Sequence, residues 1–355
     1  MKDGYVKDIL KYGSLKKATD IHFCVGSKPL IRINGLLEEI GGEVVFVDKI
    51  QEIIDSLIDD NQMKKLSEKK VLDFSFSVSG LGRFRANIYS QRGTFAIAIR
   101  MLPFDIPSME TLGLPPIVET FATKTKGLFL VTGTTGSGKS TTLASMIDLI
   151  NEKYPYHVIT IEDPIEYLHK HKKSLVTQRE IGQDAESFAG ALYSALREDP
   201  DVIMVGEMRD PETIQIALTA AETGHLVFST LHTLGASKSI DRILDAFPAA
   251  QQPQIRTQLA TVLSGIVSQQ LLPRVDNGGL VVATEVMLMT SAIKNMIREG
   301  KHYQINNIIQ TGESSGMHPL EMDLARLIKS GVVDYDETVL LAQDQRILEQ
   351  FLNRR

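Results

Sequence analysis

At 355 residues the chain is long enough for two domains, and its 43% apolar and 23% charged residues are ordinary for a soluble globular protein. A net charge of −6 sets nucleic acid aside as the expected partner, while the single cysteine excludes an intrachain disulfide or a multi-cysteine zinc site and fits a reducing compartment. No run approaches the roughly 18 apolar residues of a membrane helix, so any membrane association must go through a partner or the surface.

The N-terminal MKDGYVKDIL has no long apolar core and no small-residue cleavage site, so no signal peptide is expected. Cys24, in the apolar stretch IHFCVG, reads as an inert buried thiol. The first hundred residues are strand-rich. Leu72, Phe74, Phe76 and Val78 alternate with Asp73, Ser75 and Ser77, the period of a half-buried strand. After a GLG turn, Phe84, Ala86 and Ile88 share one face of a second strand, and Arg83, Arg85 and Asn87 share the other. A third strand, 94–100, follows the Arg92-Gly93 turn. Residues 102–116, LPFDIPSMETLGLPP, are proline-rich without a helical period and read as a linker. From about 117 onward strands and helices alternate, which predicts a parallel sheet covered by helices. The chain contains no internal repeat and no low-complexity tract.

The apolar run LFLV at 128–131 has the character of a buried parallel strand. Directly after it stand Gly133, Thr134, Thr135, Gly136, Ser137, Gly138, Lys139 and Ser140, which satisfy G-x-x-x-x-G-K-[ST] at every fixed position, with Thr141 beside them. A helix then opens, with Leu143, Met146, Ile147 and Ile150 at i, i+3, i+4 and i+7. Such glycines let backbone N–H groups close around phosphates at a helix N-terminus, where the partial positive charge favours an anion. Lys139 is placed to reach the β- and γ-phosphates and the Ser140 hydroxyl to ligate Mg²⁺. The motif predicts a bound nucleotide, and the cofactors expected are ATP and Mg²⁺.

Three more strand-like runs end in residues suited to catalysis, and ligands of open α/β sheets bind outside the carboxyl ends of the strands. In HVITIEDPIEYLH, Pro164 stops the strand and leaves Glu162, Asp163 and Glu166 near its end, where a carboxylate can orient or deprotonate the attacking water. In DVIMVGE, four apolar residues and a glycine precede Glu207, in the manner of a Walker B carboxylate that holds Mg²⁺. Asp210 and Pro211 then read as the N-cap and first residue of the next helix. In GHLVFSTLHT, Gly224 fits the residue just past a helix end, and the strand carries His225 at its start and His232 beyond its end. A neutral histidine beside a γ-phosphate can sense it by hydrogen bonding. Spacing alone favours a structural reading for both.

The set GTTGSGKST, ITIEDPIEYLH, VGEMRDPET and AAETGHLVFSTLHT resembles the Walker A, Asp box, Walker B and His box of the secretion ATPase superfamily, which drives type IV pili and type II secretion. ATDIHF is similar to that family's S-D-[IL]-H segment, with Thr19 in place of Ser, and GRFRANIYSQRG to its arginine-bearing hairpin. Three features resemble the PilT family of pilus retraction ATPases. Neither the extra N-terminal domain nor the tetracysteine insertion of most assembly ATPases is expected, the sequence holding a single cysteine. SQQLLPR suits the family, and SAIKNMIREGK is close to its A-I-R-N-L-I-R-E motif, with Lys294 and Met296 for Arg and Leu. There Ala292, Ile293, Met296 and Ile297 follow helical spacing and are expected to pack inward.

The resemblance implies an α/β fold, with a PAS-like α+β domain at 1–101, the linker at 102–116, and a RecA-like ATPase domain with C-terminal helices at 117–355. It implies Glu166 as general base, Glu207 as the Walker B and metal-holding carboxylate with Ser140, and His225 and His232 as the His box, His232 sensing the γ-phosphate. It further implies that arginines of the small domain, among Arg83, Arg85, Arg92 and Arg100, contact the nucleotide. The implied assembly is a homohexamer acting on a platform protein of the inner membrane. That places it in the cytoplasm, peripheral at the inner face of the cell membrane. The rival readings are an extension or secretion ATPase of the same superfamily and a catalytically weak regulatory paralogue. A GTPase ranks last, because no N-K-x-D segment occurs.

Overall fold

The computed structural model describes residues 4–353 apart from 34, 104 and 277. Residues up to 105, together with 166–168, form one compact unit, and 106–165 with 169 onward form a second.

The first unit carries β1 (Asp20–Cys24), β2 (Leu30–Ile33), β3 (Leu36–Glu39), β4 (Val71–Val78), β5 (Gly82–Gln91) and β6 (Thr94–Met101). They pair antiparallel throughout in the order β3-β2-β1-β6-β5-β4. Alternation decides the faces. Phe84, Ala86 and Ile88 on β5 are buried with Ile21, Phe23, Ile97 and Ile99 of the neighbouring strands. The helix Val47–Leu57 adds Ile50, Ile53 and Ile54 to the same core. Cys24 corrects its expectation: it stands in register with Asp20 and His22, on the face opposite Ile21 and Phe23, and is half-buried with its sulfur 2.7 Å from the Gln91 amide nitrogen. A thiol two residues from a polar position takes the polar face, whatever its apolar neighbours in sequence.

The second unit is built on β7 (Gly127–Thr132), β8 (His157–Glu162), β9 (Leu175–Glu180), β10 (Val202–Val205), β11 (Leu226–Leu231), β12 (Leu263–Pro273) and β13 (Leu280–Leu288). The order is β13-β12-β7-β11-β10-β8-β9. Every neighbouring pair is parallel except β12 and β13, which are antiparallel. That exception follows from the short 274–279 connection, which has no room for the helix a parallel crossover needs. β7 is buried along its whole length, and its residues divide by parity: Leu128 and Leu130 join the core on one face of the sheet, Phe129 and Val131 that on the other. The helix Lys139–Lys153 packs Leu143, Met146, Ile147 and Ile150 into the second of these cores. Asp210 caps Pro211–Glu222 by accepting from the Thr213 N–H at 2.8 Å, with Pro211 as the first helical residue. Near the C-terminus, Leu320–Lys329 and Gln345–Asn353 cover β12 and β13 through Leu324, Leu327 and Leu348. Among the described residues, no helix is long and apolar enough to cross a membrane.

Candidate functional site

β7 delivers the chain to Gly133, whose φ of 148° and surroundings admit no side chain. A Cβ there would lie 2.4 Å from both the Gln269 carbonyl oxygen and Ser137 Oγ. Gly138, at φ 86°, opens the helix Lys139–Lys153. Lys139 is buried, and its Nζ donates to the carbonyls of Gly133 and Thr134 at 2.9 and 2.8 Å. Thr134, Thr135, Gly136 and Ser140 are exposed, Thr141 is half-buried, and Ser137 is buried beneath them. The sequence 133–140 therefore makes a loop of backbone N–H groups at a helix N-terminus around a buried cation, which is what a polyphosphate requires.

The strand order brings the ends of β7, β11 and β10 side by side, and three predicted residues meet there. His232, just past β11, has Nδ1 3.5 Å from Thr135 Oγ1 and Nε2 3.4 Å from a carboxylate oxygen of Glu207, just past β10. That same Glu207 oxygen accepts from Arg209 Nε at 2.6 Å. Glu207 is fixed from below as well, because Gly206 N–H donates to the Ile161 carbonyl at 2.8 Å and Thr230 Oγ1 donates to the Gly206 carbonyl at 2.6 Å. Thr135, Glu207, Arg209, His232 and Arg242 line a cavity of about 360 Å³. Arg209 and Arg242 were not singled out from the sequence. The first stands two residues from Glu207 in VGEMRD, where its charge was a usable signal. The second comes from the helix Ala236–Asp245 with no local motif.

His225 must be withdrawn from this cluster. Its carbonyl accepts from Gly127 N–H at the start of β7, whereas Leu231, at the other end of β11, accepts from Gly133 N–H. It thus stands at the opposite edge of the sheet, where its Nδ1 lies 2.9 Å from the Ala220 carbonyl and closes the end of a helix. Of the three carboxylates at and just beyond the end of β8, Glu162 is buried and accepts from Thr160 Oγ1 and Gln178 Nε2 at 2.7 and 3.2 Å, while Asp163 and Glu166 are exposed. Ile165 N–H is pinned by Glu180 at 2.9 Å, which fixes where the chain leaves the strand.

On the first unit, Arg85 and Arg100 are cross-strand partners on an exposed face, and Arg100 pairs with Asp20 at 3.0 Å. Arg83 is half-buried and donates to Ser77 Oγ at 3.3 Å. Arg92 sits in the β5–β6 turn, φ 46°, seven residues from Arg85. An extended strand spans about 3.3 Å per residue, so roughly 23 Å parts them. The four arginines therefore do not converge on one phosphate, and Arg92 is the one set apart.

The loop beyond His232 is held by a group the sequence did not announce. Glu285, on β13, is buried and accepts from Ala236 N–H at 2.7 Å, while Gly235 N–H donates to Ser268 Oγ at 2.9 Å. Burial raises the Glu285 carboxyl from 4.5 to about 7. The folded chain then holds this proton more tightly than the unfolded one. Its stabilising effect is complete below about pH 4.5 and lost as pH rises through about 7. Glu285→Gln keeps the shape and the acceptor for Ala236 without the charge. Calorimetry should give the variant a melting temperature several degrees above the parent at pH 8, with the gap mostly closed at pH 5. An equal gap at both values would mean that the carboxyl titrates normally.

Residues 96–296 match the family described as type II/IV secretion system protein. The chain is 47% identical to a twitching motility protein of Neisseria gonorrhoeae over 88% of this chain and 83% of the relative. It is 45% identical to the type IV pilus retractation ATPase PilT of Pseudomonas aeruginosa over 92% of this chain and 95% of the relative. Against the crystal structure of the pilus retraction motor PilT with bound ADP, it superposes with a TM-score of 0.91 at 48% identity, covering 97% of this chain and 98% of that one. The α/β reading, a RecA-like ATPase unit preceded by a smaller α+β unit, accords with that likeness. The chain belongs to the type II/IV secretion system protein family and is an ATPase of the PilT kind.

Proposed function

We propose that this chain hydrolyses ATP to power the retraction of type IV pili. The observation that carries the reading is likeness over nearly the whole length to retraction proteins, joined to a phosphate cradle with every fixed position filled. During phosphoryl transfer, charge spreads over the γ-phosphate oxygens, and catalysis is mostly positioning and neutralisation. Lys139 and the loop N–H groups meet that charge, and His232, in reach of Thr135 and Glu207, hydrogen-bonds to the γ-phosphate. Glu166 orients the water and takes its proton. Ser140 and Glu207 are the hard oxygen donors that would hold Mg²⁺, which brings further neutralisation of the phosphates when bound. The exposed Arg85–Arg100 pair, with Arg83 beside it, serves the nucleotide of a neighbouring subunit in a hexameric ring. The ring acts on a platform protein at the inner face of the cell membrane. Purified protein should hydrolyse ATP, and cells without the gene should carry more pili and fail to twitch. Cells left bald would assign it to extension instead.

The helix Ser291–Arg298 separates force transmission from chemistry. Ile293 and Ile297 are buried, Met296 and Lys294 are half-buried, and Arg298 is exposed. Ala292 is exposed rather than packed inward, because it lies in the first turn next to the Thr290 cap. No phosphate-binding or carboxylate motif lies on this helix. Lys294→Ala with Arg298→Ala should keep ATP turnover within about threefold of the parent, since surface changes rarely disturb a fold, yet leave cells hyperpiliated. Turnover falling together with retraction would instead give the helix a role in holding the ATPase in shape.

A further inference from the structure

We infer that Gln269 is a positioning residue for the phosphate cradle, holding the loop 133–138 in its binding form from the neighbouring strand. The inference rests on the nucleotide-binding reading above. β12 runs parallel to β7 with Ser268 in register with Thr132, so where β7 ends and the loop departs, β12 continues beside it. The next residue, Gln269, is 1% exposed and touches the loop at both ends. Its Nε2 donates to the Ser137 carbonyl at 2.5 Å, and its Oε1 accepts from Thr142 Oγ1 at 3.0 Å. Its own carbonyl oxygen occupies the space a side chain at Gly133 would need, and its Nε2 would lie 3.1 Å from a Cβ at Gly138.

An amide side chain offers a donor and an acceptor in one fixed plane. Across a trans peptide the carbonyl and the following N–H point in opposite directions. Pinning the Ser137 carbonyl toward β12 therefore turns the Gly138 N–H away from Gln269, as a donor for phosphate at the helix N-terminus. Thr142 ties the first turn of that helix to the same amide. The preceding residue, Ser268, holds the loop beyond His232 through Gly235 N–H at 2.9 Å. Two consecutive residues of one buried strand thus set the cradle and the loop after the histidine.

The test uses the full chain, with anisotropy titration of N-methylanthraniloyl-ADP beside steady-state ATP turnover. Gln269→Leu removes both side-chain bonds at similar size. Gln269→Glu keeps the shape and the acceptor for Thr142 but sets a carboxylate oxygen against the Ser137 carbonyl. Thr142→Val removes one bond and leaves Ser137 held. Both Gln269 variants should raise the Kd for the ADP probe and the KM for ATP about tenfold or more, with kcat at saturation falling less, and Thr142→Val should stay within about threefold. A residue that served packing alone would lower the melting temperature and the active fraction but leave Kd and KM unchanged. Kd within threefold of the parent in both Gln269 variants, or an equal rise in Thr142→Val, overturns the inference. If Gln269→Leu does not fold, the isosteric Gln269→Glu decides. A parent chain that fails to bind the probe would sink the nucleotide reading itself, a different result from a parent that binds and variants that bind equally.

Discussion

Lys139→Ala will lower ATP turnover by about 10²–10³-fold and remove the stabilisation that ADP confers, the size expected when one preorganised charge contact to the transferring phosphoryl is deleted. Two roles are lost together. On the proposed reading the ammonium is the cation that would meet the β- and γ-phosphates, and its hydrogen bonds to the Gly133 and Thr134 carbonyls tie the start of the loop to the helix. An alanine leaves those carbonyls without that donor and the phosphates without their counter-charge. The nucleotide-free chain should still fold, because the cores that carry β7 and the helix Lys139–Lys153 are apolar and elsewhere. ADP at a hundred times its Kd stabilises a binding protein by about 2.7 kcal/mol, so the parent should melt several degrees higher with ADP. The variant should show no such shift. Turnover within about tenfold of the parent, with the ADP shift retained, would remove Lys139 from the phosphate site.

What could be read in advance follows the range of the interactions. Residues 133–140 were legible because each fixed position answers a local demand: no side chain fits at Gly133, and a left-handed residue opens the helix at Gly138. Glu207 and His232 were legible because a parallel sheet puts the carboxyl ends of its strands on one edge. The same rule separates His225, which starts β11 where His232 follows its end. Sequence spacing gave the two histidines equal standing, and strand direction does not. Gln269 lay beyond reach, since it meets Ser137 across 132 positions of sequence through a strand order that periodicity does not encode. Glu285 and Arg242 were hidden for the same reason, each acting from an element with no motif of its own. Arg85 and Arg92 belong to one hairpin, and only the length of β5 shows that they stand at opposite ends of it.

Glu166→Gln should separate binding from chemistry. The end of β8 and the turn beyond it hold three carboxylates, and their surroundings sort them. Glu162 is buried, and one of its oxygens accepts from both Thr160 and Gln178, which ties it to the protein. Glu166 and Asp163 are exposed, and either is available to a water molecule. Replacing Glu166 by glutamine keeps its size and its capacity to hydrogen-bond, and removes only the group that can take a proton. The loss expected for a general base is about 10²–10⁴-fold in kcat, with ADP affinity and KM for ATP within a few-fold of the parent, because no phosphate contact is touched. Asp163→Asn makes the parallel change three residues away and should turn over within about twofold of the parent, as surface substitutions outside a site do. Single-turnover hydrolysis with saturating protein reads the chemical step directly and sets slow product release aside. Near-normal turnover in Glu166→Gln would strike it from the mechanism, and a collapse in Asp163→Asn instead would move the proton to the neighbouring carboxylate.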